Sequence, residues 1–76
     1  MKSIEIRLST IADVQEFVNI VAKSPIDIDL LSGRYVVDAK SIMGIFSLDL
    51  LNPIKLHAHS DDTDELFAAL DRFIVK

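Results

Sequence analysis

Apolar and polar residues alternate in three short segments of the chain, and this two-residue period predicts half-buried β-strands. The segments are residues 4–8, residues 26–30 and Ile54–Ala58. A further segment, residues 35–37, contains Tyr and Val, which favour strands, and it follows the turn sequence Ser32-Gly33. We therefore predict four strands, the second and third of which form a hairpin.

Three segments carry apolar residues three and four positions apart, the spacing of one helix face. The first begins at a cap, Ser9 or Thr10, and stops before Pro25. The second is short and runs from residue 41 to residue 48 or 51. The third follows an acidic segment, and its buried stripe is predicted to comprise Leu66, Phe67, Leu70, Phe73 and Ile74.

The predicted order is strand, helix, hairpin, short helix, strand, helix. It favours an α+β domain of two layers, in which helices cover one face of an antiparallel four-stranded sheet. The chain has 76 residues, which fits one domain over residues 1–76.

Composition narrows the classes of function. The absence of cysteine excludes disulfides, thiolate nucleophiles and zinc-thiolate sites, and it fits a reducing, cytoplasmic location. A net charge of −4 disfavours direct binding to nucleic acid. No apolar run approaches the roughly 18 residues of a membrane span, and no Ser–His–acid grouping suggests a catalytic triad. We expect no enzymatic activity and no cofactor.

The short second helix carries the most informative residues. Ser41 can cap it, and Ile42, Met43 and Phe46 cannot all be hidden on one face of so short a helix. Capping alone explains a serine at this position. Met43 is the best candidate for an exposed docking residue, since methionine suits adaptable partner surfaces.

The run Lys40-Ser41-Ile42-Met43-Gly44 resembles the regulatory helix of HPr, the histidine-containing phosphocarrier of the bacterial sugar phosphotransferase system. The resemblance extends from Phe17 to near the C-terminus. It implies an open-faced sandwich with the β-α-β-β-α-β-α order, sheet order 1423 and three helices on one face. It also implies that Ser41 is a regulatory phosphorylation site.

The resemblance fails at the phosphoryl-carrying site, a His-x-Arg-Pro sequence in the family. Counting back from Phe17 places Thr10 at the histidine position and Ala12 at the arginine position, and Asp13 replaces the proline. A threonine hydroxyl is a weak nucleophile without a base, and a carboxylate repels phosphate. We therefore predict that histidine phosphotransfer is lost here.

Because it retains the serine and lacks the histidine, the chain is similar to catabolite-repression HPr, a family variant that keeps the regulatory serine but not the histidine. By this resemblance the chain binds proteins: an HPr-kinase-type enzyme, a transcriptional regulator or phosphotransferase components. The predicted contact residues are Ile11, Ala12, Ile42, Met43 and Phe46.

Two alternatives stay open. A divergent phosphocarrier-family protein could still engage enzyme I or sugar permease components. Alternatively, His57 and His59, which face the same side of the last strand, could bind Zn²⁺ or another ligand together with Asp27, Asp29 and Glu5. An exposed polar sheet face with cross-strand charge pairs is the simpler explanation of the two histidines, which are weak metal candidates.

Overall fold

The computed structural model describes residues 2–75 and contains one antiparallel sheet with helices on one face. The strands are β1 (Lys2–Ile6), β2 (Ile28–Ser32), β3 (Tyr35–Asp38) and β4 (Ile54–Ala58). The helices are α1 (Ile11–Ala22), α2 (Ile42–Phe46) and α3 (Asp64–Ala69), and a 3₁₀ turn follows at Asp71–Phe73. The predicted domain, residues 1–76, extends one residue beyond this range at each end.

The sheet order is β1-β4-β2-β3, as predicted. Ile4 lies opposite Leu56, which in turn lies opposite Leu30. Because side chains alternate across a strand, this row faces the helices. The neighbouring row places Ser3, His57, Asp29 and Asp38 on the open face.

The core lies between the sheet and the helices. α1 contributes Val14, Phe17 and Val21, which are fully buried at the predicted helical spacing. The ring of Phe73 meets that of Phe17 edge to face, with centroids 6.0 Å apart. Burial of such large apolar side chains stabilises the fold by about 1.5–3 kcal/mol each. This packing joins α1 to the C-terminal segment. It therefore places Arg72, the neighbour of Phe73, beside the start of α1.

Several predicted boundaries were wrong. β1 ends at Ile6 rather than residue 8, and β2 begins at Ile28 rather than residue 26. α2 stops at Phe46, two residues before the shorter predicted end. The last helix gives way to the 3₁₀ turn, and Ile74 is extended and bridges to Ile6 instead of extending the helical stripe.

Candidate functional site

Thr10 begins α1 as its N-cap. Its backbone is extended (φ −128°, ψ 165°), which lets its Oγ1 accept a hydrogen bond from the backbone N–H of Asp13 at 3.0 Å. Such a cap satisfies an N–H group that has no partner within the helix. The hydroxyl at the predicted histidine position is therefore used to hold the helix end.

Asp13 places a carboxylate beside that cap. Its Oδ2 accepts a hydrogen bond from the backbone N–H of Ser9 at 3.1 Å. This bond is the main reason that the pKa of Asp13 lies below its usual value, and Arg72 lowers that pKa further. Asp13 is consequently ionised at neutral pH and already provides the negative charge that the helix N-terminus favours.

Arg72 reaches this carboxylate from the 3₁₀ turn. Its Nη1 lies 3.3 Å from Asp13 Oδ1, and its Nη2 lies 2.5 Å from Glu16 Oε2. The guanidinium carbon lies 4.1 Å from the centroid of the Phe73 ring, a cation–π distance. Hydrogen bonding to Glu16, more than to Asp13, raises the pKa of Arg72. No cation was predicted here from the sequence, because Ala12 stands at the family's arginine position and Arg72 lies 59 positions from Asp13.

A cleft of about 260 Å³ lies beside the start of α1, and its lining includes Arg7, Ser9, Asp13 and Arg72. The Nη1 atom of Arg7 lies 3.5 Å from the backbone oxygen of Leu51. This contact brings the segment before α1 next to the loop after α2. The predicted site at α1 and the α2 region are therefore neighbours.

Ser41 caps α2 in the same way that Thr10 caps α1. Its Oγ accepts a hydrogen bond from the backbone N–H of Gly44 at 3.1 Å, and the residue is exposed. Its own N–H donates to the backbone oxygen of Asp38 at 3.0 Å, which joins the helix to the end of β3. The hydroxyl is thus accessible while it stabilises the helix start.

Gly44 allows α2 to approach the sheet. A Cβ at this position would lie 3.1 Å from Ser41 Oγ and 3.3 Å from Val37 Cβ. Both distances are tighter than ordinary carbon contacts of about 3.5–4.0 Å. The glycine therefore permits the serine cap and the packing on β3 together.

Large apolar side chains are exposed on α1 and α2, two helices in contact with each other. The exposed fraction is 66 % for Ile11, 78 % for Met43 and 41 % for Phe46, and Ala12 is also exposed. Ile42 is half-buried and packs against the core, so it contributes only part of its surface. We call Ile11, Ala12, Met43 and Phe46 the apolar surface.

Leu51, which sequence reasoning missed, is also highly exposed. It follows α2 in the loop that Arg7 contacts. Residue 51 was one of the two predicted ends of α2. The apolar spacing therefore gave no indication that its side chain would be exposed.

The two histidines lie away from this region. His57 is in β4 on the open face of the sheet, and His59 follows that strand. His59 Nε2 lies 2.7 Å from Asp29 Oδ2. Within residues 2–75, no three His, Asp or Glu side chains are grouped so that they could hold a metal ion. The structure therefore gives the metal-binding alternative no geometric support.

Over residues 2–75, no helix is both long enough and apolar enough to cross a membrane. The family model for the PTS HPr component phosphorylation site matches residues 13–76. Thr10, Ile11 and Ala12 precede the matched range. A search of curated proteins found no match.

The chain resembles solved structures of HPr proteins. HPr-C-His from Thermoanaerobacter tengcongensis is 33 % identical with a TM-score of 0.80, and the alignment covers 95 % of this chain and 89 % of that one. The phosphocarrier protein HPr from Bacillus anthracis str. Ames is 26 % identical with a TM-score of 0.69, covering 97 % and 94 %. Together with the sheet order 1423 and the match over residues 13–76, these findings show that the chain belongs to the HPr family.

Proposed function

We propose that this HPr-family protein is a regulatory protein-binding module that does not carry phosphate on a histidine. The observation that carries the proposal is the pairing of a non-nucleophilic α1 start with an exposed apolar surface beside it. Proteins of this family interact with other proteins of the phosphotransferase system. We infer that components of that system, or a regulator responding to it, are the partners.

The start of α1 opposes phosphotransfer on two grounds. Thr10 Oγ1 faces the Asp13 N–H as a cap, and no imidazole is available there because both histidines belong to β4 or follow it. The ionised Asp13 would repel an incoming phosphoryl group. Arg72, which could offset that charge, is already paired with Asp13 and Glu16.

The apolar surface supports binding. Exposed methionine and aromatic side chains are typical of protein interfaces, whose centres are depleted of charge. Met43 and Phe46 project from α2, and Ile11 projects from the start of α1. A partner that covers these residues would also cover Ser41, which begins α2.

Ser41 supplies the proposed switch. Its hydroxyl is exposed, so a kinase can reach it without unfolding the helix. A phosphate would add a charge of about −1.5 to −2 at the edge of the apolar surface. The new charge would attract an arginine-bearing partner and repel an acidic one, and the fold would change little.

The test is intact mass after incubation with ATP and an HPr kinase. We expect one added phosphate on the wild-type chain and none on Ser41→Asn, because asparagine retains the helix cap but has no hydroxyl. Ser47→Ala serves as a control, since Ser47 is exposed at the other end of α2. An unmodified wild-type chain, or a phosphate that persists in Ser41→Asn, would contradict the switch.

Arg7 lines the cleft beside the start of α1 and forms no ion pair within residues 2–75. This cation favours one alternative, in which the protein still engages enzyme I or permease components. Incubation with enzyme I and phosphoenolpyruvate separates the two functions. An acid-labile phosphate on the chain would establish the carrier function. Binding to enzyme I without modification would identify a decoy.

A further inference from the structure

The two edges of the sheet differ in what covers them. At the β1 edge, the Arg7 N–H donates to the Phe73 carbonyl at 2.8 Å, and the Val75 N–H donates to the Glu5 carbonyl at 2.9 Å. At the β3 edge, no further strand is paired within residues 2–75. An uncovered strand edge is a template for pairing with another strand.

The hydrogen bonds of the hairpin determine which groups this edge presents. The Ala39 N–H donates to the Ile28 carbonyl at 2.9 Å. Since antiparallel bonds alternate every second residue, Val37 and Tyr35 also direct their backbone groups towards β2. The N–H and C=O of Val36, and the N–H of Asp38, therefore point away from the sheet.

The side chains along this edge are exposed and unevenly charged. Tyr35 is 68 % exposed and Val36 is 61 % exposed. Asp38 stands directly opposite Asp29, an arrangement that destabilises a sheet when both residues are charged. The Oδ2 atom of Asp29 lies 2.7 Å from Nε2 of His59. Asp38 accepts a bond from the backbone N–H of Lys40 and has no ion pair with a cation in residues 2–75.

We propose that a second copy of this chain pairs with β3 in antiparallel fashion, about a two-fold axis at Val36. In this register Val36 lies opposite Val36 of the second copy, and their outward N–H and C=O groups bond reciprocally. Tyr35 then lies opposite Val37, an aromatic and β-branched pair of the kind that stabilises sheets. Arg34 lies opposite Asp38, so each copy supplies the missing cation.

The register is self-complementary, which is why a second copy fits this edge better than an unrelated strand. Arg34 has no ion pair within the described residues and is free to face Asp38 of the second copy. Leu31 lies opposite Val36 on the open face, so pairing also joins two apolar strips across the axis. This interface does not include Met43 or Phe46, and the inference is independent of the proposed function.

A four-residue strand buries less area than the roughly 1,200–2,000 Å² of a standard stable interface. We therefore expect a weak dimer that appears between micromolar and millimolar concentrations. Sedimentation equilibrium of the full chain over that range measures it. A chain that stays monomeric up to millimolar concentration would overturn the proposal.

Val36→Pro tests the strand edge. Proline removes the outward N–H, and the bonds to β2 remain because that N–H does not take part in them. We expect dimerisation to weaken by at least about tenfold, with the native melting transition retained. Met43→Glu, on the apolar surface, should leave dimerisation unchanged. A dimer insensitive to Val36→Pro, or abolished by Met43→Glu, would contradict pairing through β3.

A charge exchange tests the register. Arg34→Asp places two carboxylates opposite each other in the homodimer, and Asp38→Arg places two guanidiniums there, so each variant alone should dimerise less. An equimolar mixture should restore association, because both cross-pairs are then opposite in charge. Failure of the mixture to associate would overturn the Val36 axis. Should Asp38→Arg not fold, Val36→Pro decides alone.

Discussion

Helices α1 and α2 both begin with a hydroxyl cap, but the residues around the two caps differ. Thr10 and Ser41 each accept a hydrogen bond from the N–H three residues later, at 3.0 and 3.1 Å. That third residue is Asp13 in α1 and Gly44 in α2. The first turn of α1 therefore carries a carboxylate that is paired with Arg72, whereas the first turn of α2 carries no acidic residue.

The two caps differ in the charge and the accessibility of their surroundings. At α1, Asp13 already occupies the positive helix end with a carboxylate. At α2, the glycine adds no charge and leaves Ser41 accessible. The proposed switch at Ser41, and not at Thr10, rests on this difference in the surroundings of the two caps.

The largest expected effect concerns Phe73, whose ring supports Arg72 beside the start of α1. Phe73 is buried against Phe17 and lies beneath the guanidinium. Phe73→Ala should lower the free energy of unfolding by about 3–5 kcal/mol, measured by urea denaturation. Phe73→Leu, which retains much of the volume, should cost clearly less. A loss below about 1 kcal/mol for Phe73→Ala would show that packing of Phe73 does not organise this end.

The second prediction concerns the apolar surface at α2. Met43→Glu places a charge where a partner is proposed to bind, so affinity for that partner should fall by about tenfold or more, or at least about 1.4 kcal/mol. Isothermal titration with phosphotransferase components measures this change. Glu65→Ala, on the exposed part of α3, is the control. Unchanged affinity in Met43→Glu would exclude α2 from the interface.

The third prediction compares the two caps directly. Thr10→Ala and Ser41→Ala should each destabilise the protein by about 1 kcal/mol, since each leaves a helix-start N–H without its partner. Thr10→Ser and Ser41→Asn should recover most of the loss. Chemical denaturation of the four variants provides the measurement. A cost near zero for Ser41→Ala would mean that the serine is not needed as a cap.

The smallest predicted effect is the pH dependence that arises from Asp13. Its pKa is lowered in the folded protein relative to the usual value of 3.8. The resulting stabilisation is therefore complete above the unfolded pKa and is lost as the pH falls through the folded pKa. Asp13→Asn should flatten the stability curve below about pH 4. An unchanged acid limb would show that Asp13 is not held by Ser9 and Arg72.

Sequence patterns predicted the fold well because they report periodic burial. The alternation at Ile54–Ala58 matches β4 residue for residue, and the stripe of Val14, Phe17 and Val21 matches the buried face of α1. The hairpin was also confirmed, and so was the sheet order that the resemblance to HPr implied. Ile74 was misassigned because its burial comes from a bridge to Ile6, which has no helical period.

The candidate site was harder to predict because its parts come from distant segments. Arg72 and Asp13 are 59 positions apart, and no local spacing connects them. Met43 was correctly predicted to be exposed, since α2 is too short to bury every apolar residue. Leu51 was missed because exposure in a loop depends on tertiary packing rather than on sequence period.

Reaction with enzyme I and phosphoenolpyruvate, followed by intact mass at neutral and acid pH, tests the central claim most directly. The triple variant Thr10→His/Ala12→Arg/Asp13→Pro is the matched control, since it restores the family's His-x-Arg-Pro sequence. We expect no phosphate on the wild-type chain and an acid-labile phosphate on the triple variant. An acid-labile phosphate on the wild-type chain would contradict the account.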